Sequence, residues 1–195
     1  DSGIEEFSHY IPYDDVLVVH TSGSSPMSIL KGDYRKGVLY PLQTFSKERS
    51  LRYDNIPFFI EAENPTDLKA LSDLANRISN EVHELNFAAR MQVQMTGVWA
   101  NNFVNHLYYI AGNICEKNNI PADVLLPLIQ ETAKKVLELD PKTAQTGPAK
   151  RGDQIIIDKH LNALQDDSRL LQIYQLLTDS IKRVYENDKL QREIK

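Results

Sequence analysis

Short apolar runs alternate with amphipathic stretches in the first part of the chain, and amphipathic stretches alone fill the rest. Val16-Leu17-Val18-Val19 is an unbroken apolar run that stops at His20-Thr21-Ser22-Gly23. Such a run predicts a strand buried on both faces, as parallel strands are. Gly37-Val38-Leu39-Tyr40 ends at Pro41 and predicts a second strand, and Pro57-Phe58-Phe59-Ile60-Glu61 a third. Leu68, Leu71, Leu74, Ala75 and Ile78 then fall on one face of a helix, for which Thr66 is a plausible cap. A fourth short strand is expected near residues 81–85. Strand and helix at this spacing make an α/β sheet pattern.

The character changes near Phe87. From Ala88 to about Lys117 there is no proline, and only Gly97 and Gly112 interrupt what reads as one long helix. A second helix is expected from about Ala122 to Leu139, with Pro127 marking a kink or a late start. After a loop over residues 140–148, two more helices are expected, at about 153–164 and 168–187, with a charged, fraying tail. The predicted architecture is α/β followed by all-α: a partial sheet over residues 1–86 and a helical domain over 87–195.

Composition narrows the function classes. The formal net charge of −5 argues against nucleic acid as the main partner. No apolar run approaches the roughly 20 residues needed to span a bilayer. A single cysteine, Cys115, rules out an internal disulfide framework and suits a reducing cytoplasm. No charged-then-apolar leader opens the chain, which starts Asp1-Ser2-Gly3 without an initiator methionine, as though cut from something longer.

Three stretches carry candidate chemistry. His20-Thr21-Ser22-Gly23 lies just past the carboxyl end of a strand, where open α/β sheets place their ligands. Tyr40-Pro41-Leu42-Gln43-Thr44-Phe45-Ser46 also follows a strand, and Gln43 and Thr44 could orient a ligand or simply cap a proline turn. On the long helix, Gln94, Asn102, His106, Tyr109 and Asn113 recur at spacings of 8, 4, 3 and 4, which marks a cleft lining or a solvated face. Asn102, between Trp99 and Phe103, would need hydrogen-bond partners if buried; it is the one candidate for a catalytic role. In Thr146-Gly147-Pro148-Ala149-Lys150-Arg151-Gly152-Asp153 the glycines and proline dictate an unusual backbone path, and Asp153 can cap the next helix. Arg151 there could grip an anion or lock the corner through an Arg–Asp pair. The five histidines show no zinc-ligand spacing, and His160 reads as structural or interfacial.

The segment from Thr146 to Asp153, with His160-Leu161 after it, resembles the Thr-Gly-Pro-x-x-Arg-Gly-Asp…His-Leu signature of Rossmann-like proteins carrying a C-terminal domain of unknown function 2520. Tyr40–Ser46 resembles their His-Pro-x-Gln-Thr-Phe segment, Gly97–Phe103 their Ala-Val-Phe-Ala-Ser-Asn-Phe run, and His20–Gly23 their His-x-Ser-Gly strand end. The architecture is similar to that of pyrroline-5-carboxylate reductase and of dehydrogenases with a 6-phosphogluconate dehydrogenase-like helical domain. This resemblance implies an NADP or NAD oxidoreductase, sometimes labelled as using a deazaflavin coenzyme, that works on a small molecule as a cytoplasmic homodimer. It implies that residues 1–86 end a nucleotide-binding domain, and that residues 87–195 form the dimerisation and substrate domain. It implies further that His20, Thr21 and Ser22 approach the cofactor, while Gln43, Thr44, Asn102 and Arg151 bind the substrate.

Departures from the family pattern temper this. No Gly-x-Gly-x-x-Gly turn occurs in the chain, and that turn supplies the backbone donors for a pyrophosphate. Tyr40 and Gln94 stand where many relatives have histidines. Val98 occupies the slot, four residues before the helix Asn, where hydroxyacid dehydrogenases place a lysine. A non-catalytic nucleotide- or metabolite-sensing dimer is therefore the alternative to a reductase.

Overall fold

The computed structural model describes the backbone of residues 1–193 and side chains as far as Glu186. Two compact units divide the chain, Asp1–Asn119 and Ile120–Lys195.

A four-stranded sheet organises the first unit. It comprises β1 (Leu17–His20), β2 (Arg35–Pro41), β3 (Phe58–Ala62) and β4 (Val82–Glu84), paired in that order. β1 runs parallel to β2, β2 antiparallel to β3, and β3 parallel to β4. The sheet is thus mixed. β1 forms one edge, and Leu17, Val18 and Val19 are only half-buried there, so the double-sided burial expected of this run is not realised among the described residues. A short helix, α1 (Ile4–Ser8), precedes the sheet.

Strand alternation assigns the two faces. Phe58 and Ile60 point to one side and pack with Ile56, Leu71 and Ala75 in a buried cluster, with Leu39 and Leu68 against its margin. Leu71 and Ala75 come from α2 (Pro65–Ala75). Each of the larger side chains among these, taken fully from water, contributes about 1.5–3 kcal/mol. Gly37 keeps this layer tight, because a Cβ there would lie 2.9 Å from a Leu71 methyl. The cap of α2 is Asn64, whose side chain accepts from Asp67 N at 2.9 Å; Thr66 lies inside the helix. Proline supplies the reason: Pro65 occupies the first turn, where its missing N–H does no harm, and this shifts the cap one residue before it.

The opposite face carries Val38, Tyr40, Phe59 and Glu61, with Tyr40 opposite Phe59 and Val38 opposite Glu61. The rings of Tyr40, Phe59 and His83 stack in a row at 6.1 and 5.7 Å. Over this face runs α3 (Phe87–Gly97), capped by Asn86. Its Arg90 is fully buried. The guanidinium pairs with Glu61, donates to the Ser25 carbonyl at 2.7 Å and lies over the Phe87 ring. One side chain therefore ties β3, α3 and the loop after β1 together.

The expected long helix is present as α3 and α4 (Val104–Lys117), joined without a break by a π-helical segment at Val98–Phe103.

The second unit is all-helical. α5 (Leu126–Glu138) begins late, after a 3₁₀ turn at Ala122–Leu125, with Pro127 in its first turn. The loop expected at 140–148 contains a turn of helix, α6 (Pro141–Ala144), capped by Asp140. α7 (Pro148–Arg151), α8 (Gln154–Ala163) and α9 (Ser168–Glu193) follow. Asp153 caps α8 as the sequence suggests, accepting from Ile156 N at 3.2 Å. The corner before it is shaped by Gly147 and Gly152, at φ of +103° and +72°, which are left-handed values that disfavour any side chain. Lys150 donates to the Gln145 carbonyl at 2.6 Å and lies over the Tyr185 ring. The expected fraying of the charged tail falls largely on residues whose side chains lie outside those described. Among the described residues, no helix is long and apolar enough to cross a membrane.

Candidate functional site

Past the carboxyl end of β2 the chain runs alongside the last turn of α3 and the π-helical segment, and these three pieces enclose a cleft of about 470 Å³. Tyr40, Leu42, Gln43 and Thr44 line one wall; Gln94, Val98, Asn101 and Asn102 line the other. A second hollow of about 580 Å³ shares Gln43, Thr44, Asn101 and Asn102 and extends to Arg49 and Asn105. Three of the four substrate candidates, Gln43, Thr44 and Asn102, therefore meet in one place.

The π segment is what brings the asparagines here. Its wider turn shifts the helical phase, so that Asn101 and Asn102 both reach the cleft. Single π turns inside α-helices recur at functional sites. Of the polar stripe expected along the helix, Gln94 and Asn102 line the cleft, whereas His106 and Tyr109 stack on each other at 5.9 Å and are exposed. Asn102 is exposed rather than buried, so it needs no protein partner and its amide stands open to the cleft.

The wall is polar yet uncharged around Tyr40. Burial raises the Tyr40 pKa above its ordinary value of 10.0, which keeps the phenol protonated at neutral pH.

His20, Thr21 and Ser22 lie elsewhere. They border a groove of about 610 Å³ whose other walls come from α1 and from Val18, Val19 and Leu30. His20 and Ser22 are buried and Thr21 is exposed. Ser22 N donates to His20 Nδ1 at 3.2 Å, and Ser22 Oγ accepts from the backbone of Ser24 and Ser25. The His20 pKa is lowered, first by burial and then by the Arg90 guanidinium, against weaker raising by the Pro26 carbonyl and Glu61. The ring is held neutral. The next residue, Gly23, packs against two residues of the cleft lining, because a Cβ there would meet the Tyr40 ring at 2.7 Å and Gln94 at 2.9 Å.

Arg151 belongs to the second unit, is exposed, and forms no ion pair among the described residues. The Arg–Asp lock considered for that corner is absent there; the glycine geometry and Lys150 hold it instead. His160 is structural, hydrogen-bonded through Nδ1 to the Tyr174 hydroxyl at 2.7 Å. The sequence reading missed Asn101, Asn105 and Arg49. The Asn101-Asn102…Asn105 spacing was the available signal, but the facing of Asn101 depends on the π turn.

Residues 56–181 match the model of a family described as a domain of unknown function, DUF2520. The chain belongs to the DUF2520 family. Its fold is similar to that of the "putative NADP oxidoreductase" of Bacteroides fragilis, with a TM-score of 0.88 and 43% identity over 93% of this chain and 71% of that one. A protein of Thermotoga maritima shares the fold at 21% identity, with a TM-score of 0.79 over 97% of this chain and 76% of that one. No curated protein matches the chain. Membership accords with the resemblance carried by Thr146–Asp153, which lies within the matched residues.

Proposed function

We propose that this DUF2520 chain forms the nicotinamide and substrate side of an NADP- or NAD-dependent oxidoreductase that reduces a small molecule. One observation carries the reading. The carboxyl ends of the parallel pair β1 and β2 carry, respectively, the groove beside Thr21 and the cleft lined by Gln43, Thr44 and Asn102. Carboxyl ends of strands are where open α/β sheets place their ligands. The name of the Bacteroides fragilis relative supports the cofactor class.

The groove suits the neutral end of such a cofactor. It is mainly apolar, with Asp1 on its rim, the neutral His20 and the exposed Thr21 beside it, and among the described residues no lysine or arginine lines it. A reduced nicotinamide, when bound, supplies a hydride. Thr21 would hold its carboxamide, while His20 and Ser22 brace the loop from within. Gln43, Thr44 and Asn102 orient the substrate by hydrogen bonds, and Tyr40, a protonated phenol beside them, is the proton source available in the cleft lining. Arg151 is kept as a substrate candidate on the family resemblance.

The test is hydride transfer, followed at the nicotinamide absorbance, on a chain in which this segment follows a glycine-rich strand–turn–helix. Both nicotinamide cofactors are offered against a panel of ketones and imines. Asn102→Ala and Thr44→Val are expected to lower kcat/KM about 10- to 100-fold, and Arg151→Ala less, for the substrate that turns over. If no panel member is reduced, or if the cleft variants match wild type, the assignment falls.

The helical portion is proposed to form a homodimer. Trp99 is 63% exposed and Tyr109 62%, with Phe103 and Leu107 also exposed beside them on the same helix. An apolar band of this kind on one element marks an interaction surface. Light scattering at micromolar concentration is expected to give twice the chain mass, and Trp99→Glu to shift it to the monomer. A monomeric wild type would dismiss the dimer.

A further inference from the structure

Among the described residues Arg49 is the one ionised side chain lining the outer hollow, and no aspartate or glutamate lines either the hollow or the adjoining cleft. In the same loop Arg52 is paired with Asp54 at 2.7 Å, whereas Arg49 makes no ion pair among the described residues. The neighbouring polar groups are equally uncommitted. Gln43 uses its Oε1 to accept from Thr44 N at 2.8 Å, which leaves its Nε2 protons free. The side-chain amides of Asn101, Asn102 and Asn105 have no protein hydrogen-bond partner among the described residues. A guanidinium within a ring of amide donors is the setting that a carboxylate satisfies, since its two oxygens accept about four hydrogen bonds. The chain carries a formal net charge of −5, so an anion is attracted by this local cation and not by the protein's overall field.

From this we infer that the cleft recognises small monocarboxylates: Arg49 takes the carboxylate, and the amides near Tyr40 take a neutral oxo or hydroxyl group further along the molecule. The inference rests on the proposed substrate side of the site and names its substrate class. The outer hollow, of about 580 Å³, has room for such a molecule. A single cation argues against a dianion such as a phosphate monoester, which would leave a charge unpaired.

The experiment needs no cofactor, which separates its failure from failure of the oxidoreductase reading. The ¹⁵N-labelled chain is titrated with lactate and with 4-oxopentanoate, each beside its own methyl ester, and the Arg49 Nε–H and the asparagine side-chain amides are followed by NMR. Saturable shifts at Arg49 and Asn102 are expected with at least one acid. The ester should bind about tenfold or more weakly, as loss of a charge-assisted hydrogen bond implies. Arg49→Gln is expected to weaken the acid by a similar factor and leave the ester unchanged, while Arg49→Lys retains part of the preference. Arg49 is exposed, so these variants should fold, and an unchanged amide spectrum elsewhere verifies it. Equal binding of acid and ester, indifference to Arg49→Gln, or no saturable shift with either acid overturns the inference.

Discussion

Replacing Arg90 with methionine lowers the stability of the sheet-bearing unit by about 3–5 kcal/mol, the usual loss when one member of a buried ion pair is removed. Arg90 has no exposed surface, and its partner Glu61 is only 21% exposed at the side chain. Without the guanidinium, Glu61 loses its counter-charge and the Ser25 carbonyl loses a donor. The methionine fills most of the volume, so packing contributes little to the difference. Urea unfolding followed by circular dichroism measures the effect. The double variant Arg90→Met with Glu61→Gln should recover a large part of the loss, because the stranded charge is then gone. A loss of less than about 1 kcal/mol in the single variant would show that the pair is spectator to the fold. Because Ser25 follows the Thr21–Gly23 segment, the single variant should also raise amide exchange in residues 21–26 more than in α2.

NADPH is expected to bind the 195-residue chain at least about 100-fold more weakly than it binds a family member with a glycine-rich strand–turn–helix. Pyrophosphate affinity comes from backbone N–H groups at a helix N-terminus, which a Gly-x-Gly-x-x-Gly turn presents. The chain contains no such turn. Its nearest substitute, the serine-rich loop after β1, has committed the backbone N–H groups of Ser22, Ser24 and Ser25 to its own side chains. Those donors cannot serve a phosphate without breaking the loop. Calorimetric titration of both proteins is the measurement. Comparable tight binding by the two would place the cofactor site elsewhere and remove the groove beside Thr21 from the argument.

Much of this was legible in the sequence for a physical reason. Hydrophobic runs and their periodicity report on contacts that every strand or helix of that length must bury, so β1 to β4, α2 and the long helix could be located, as could the change to all-helical structure near Phe87. The caps at Asp153 and the turn at Gly147–Gly152 were legible because they depend on one side chain and its nearest backbone. Family membership was legible through Thr146–Asp153, which lies within the matched residues 56–181 and where residue types recur together in order.

What the sequence could not determine were matters of phase and pairing. The antiparallel step from β2 to β3 and the edge position of β1 depend on which strands meet, and apolar runs look alike in either direction. The polar stripe on the long helix presumed 3.6 residues per turn throughout, whereas a π segment spans Val98–Phe103; Asn101 and Asn102 within it line the cleft, and His106 and Tyr109 on α4 do not. Arg49 and Arg52 are equivalent as letters in a polar loop; tertiary structure gave Arg52 a carboxylate and set Arg49 in the lining of the same hollow as Asn101, Asn102 and Asn105. Local chemistry is written residue by residue, but a site is a convergence of segments distant in the chain, and only the packing of β2, α3 and the π turn brings these together.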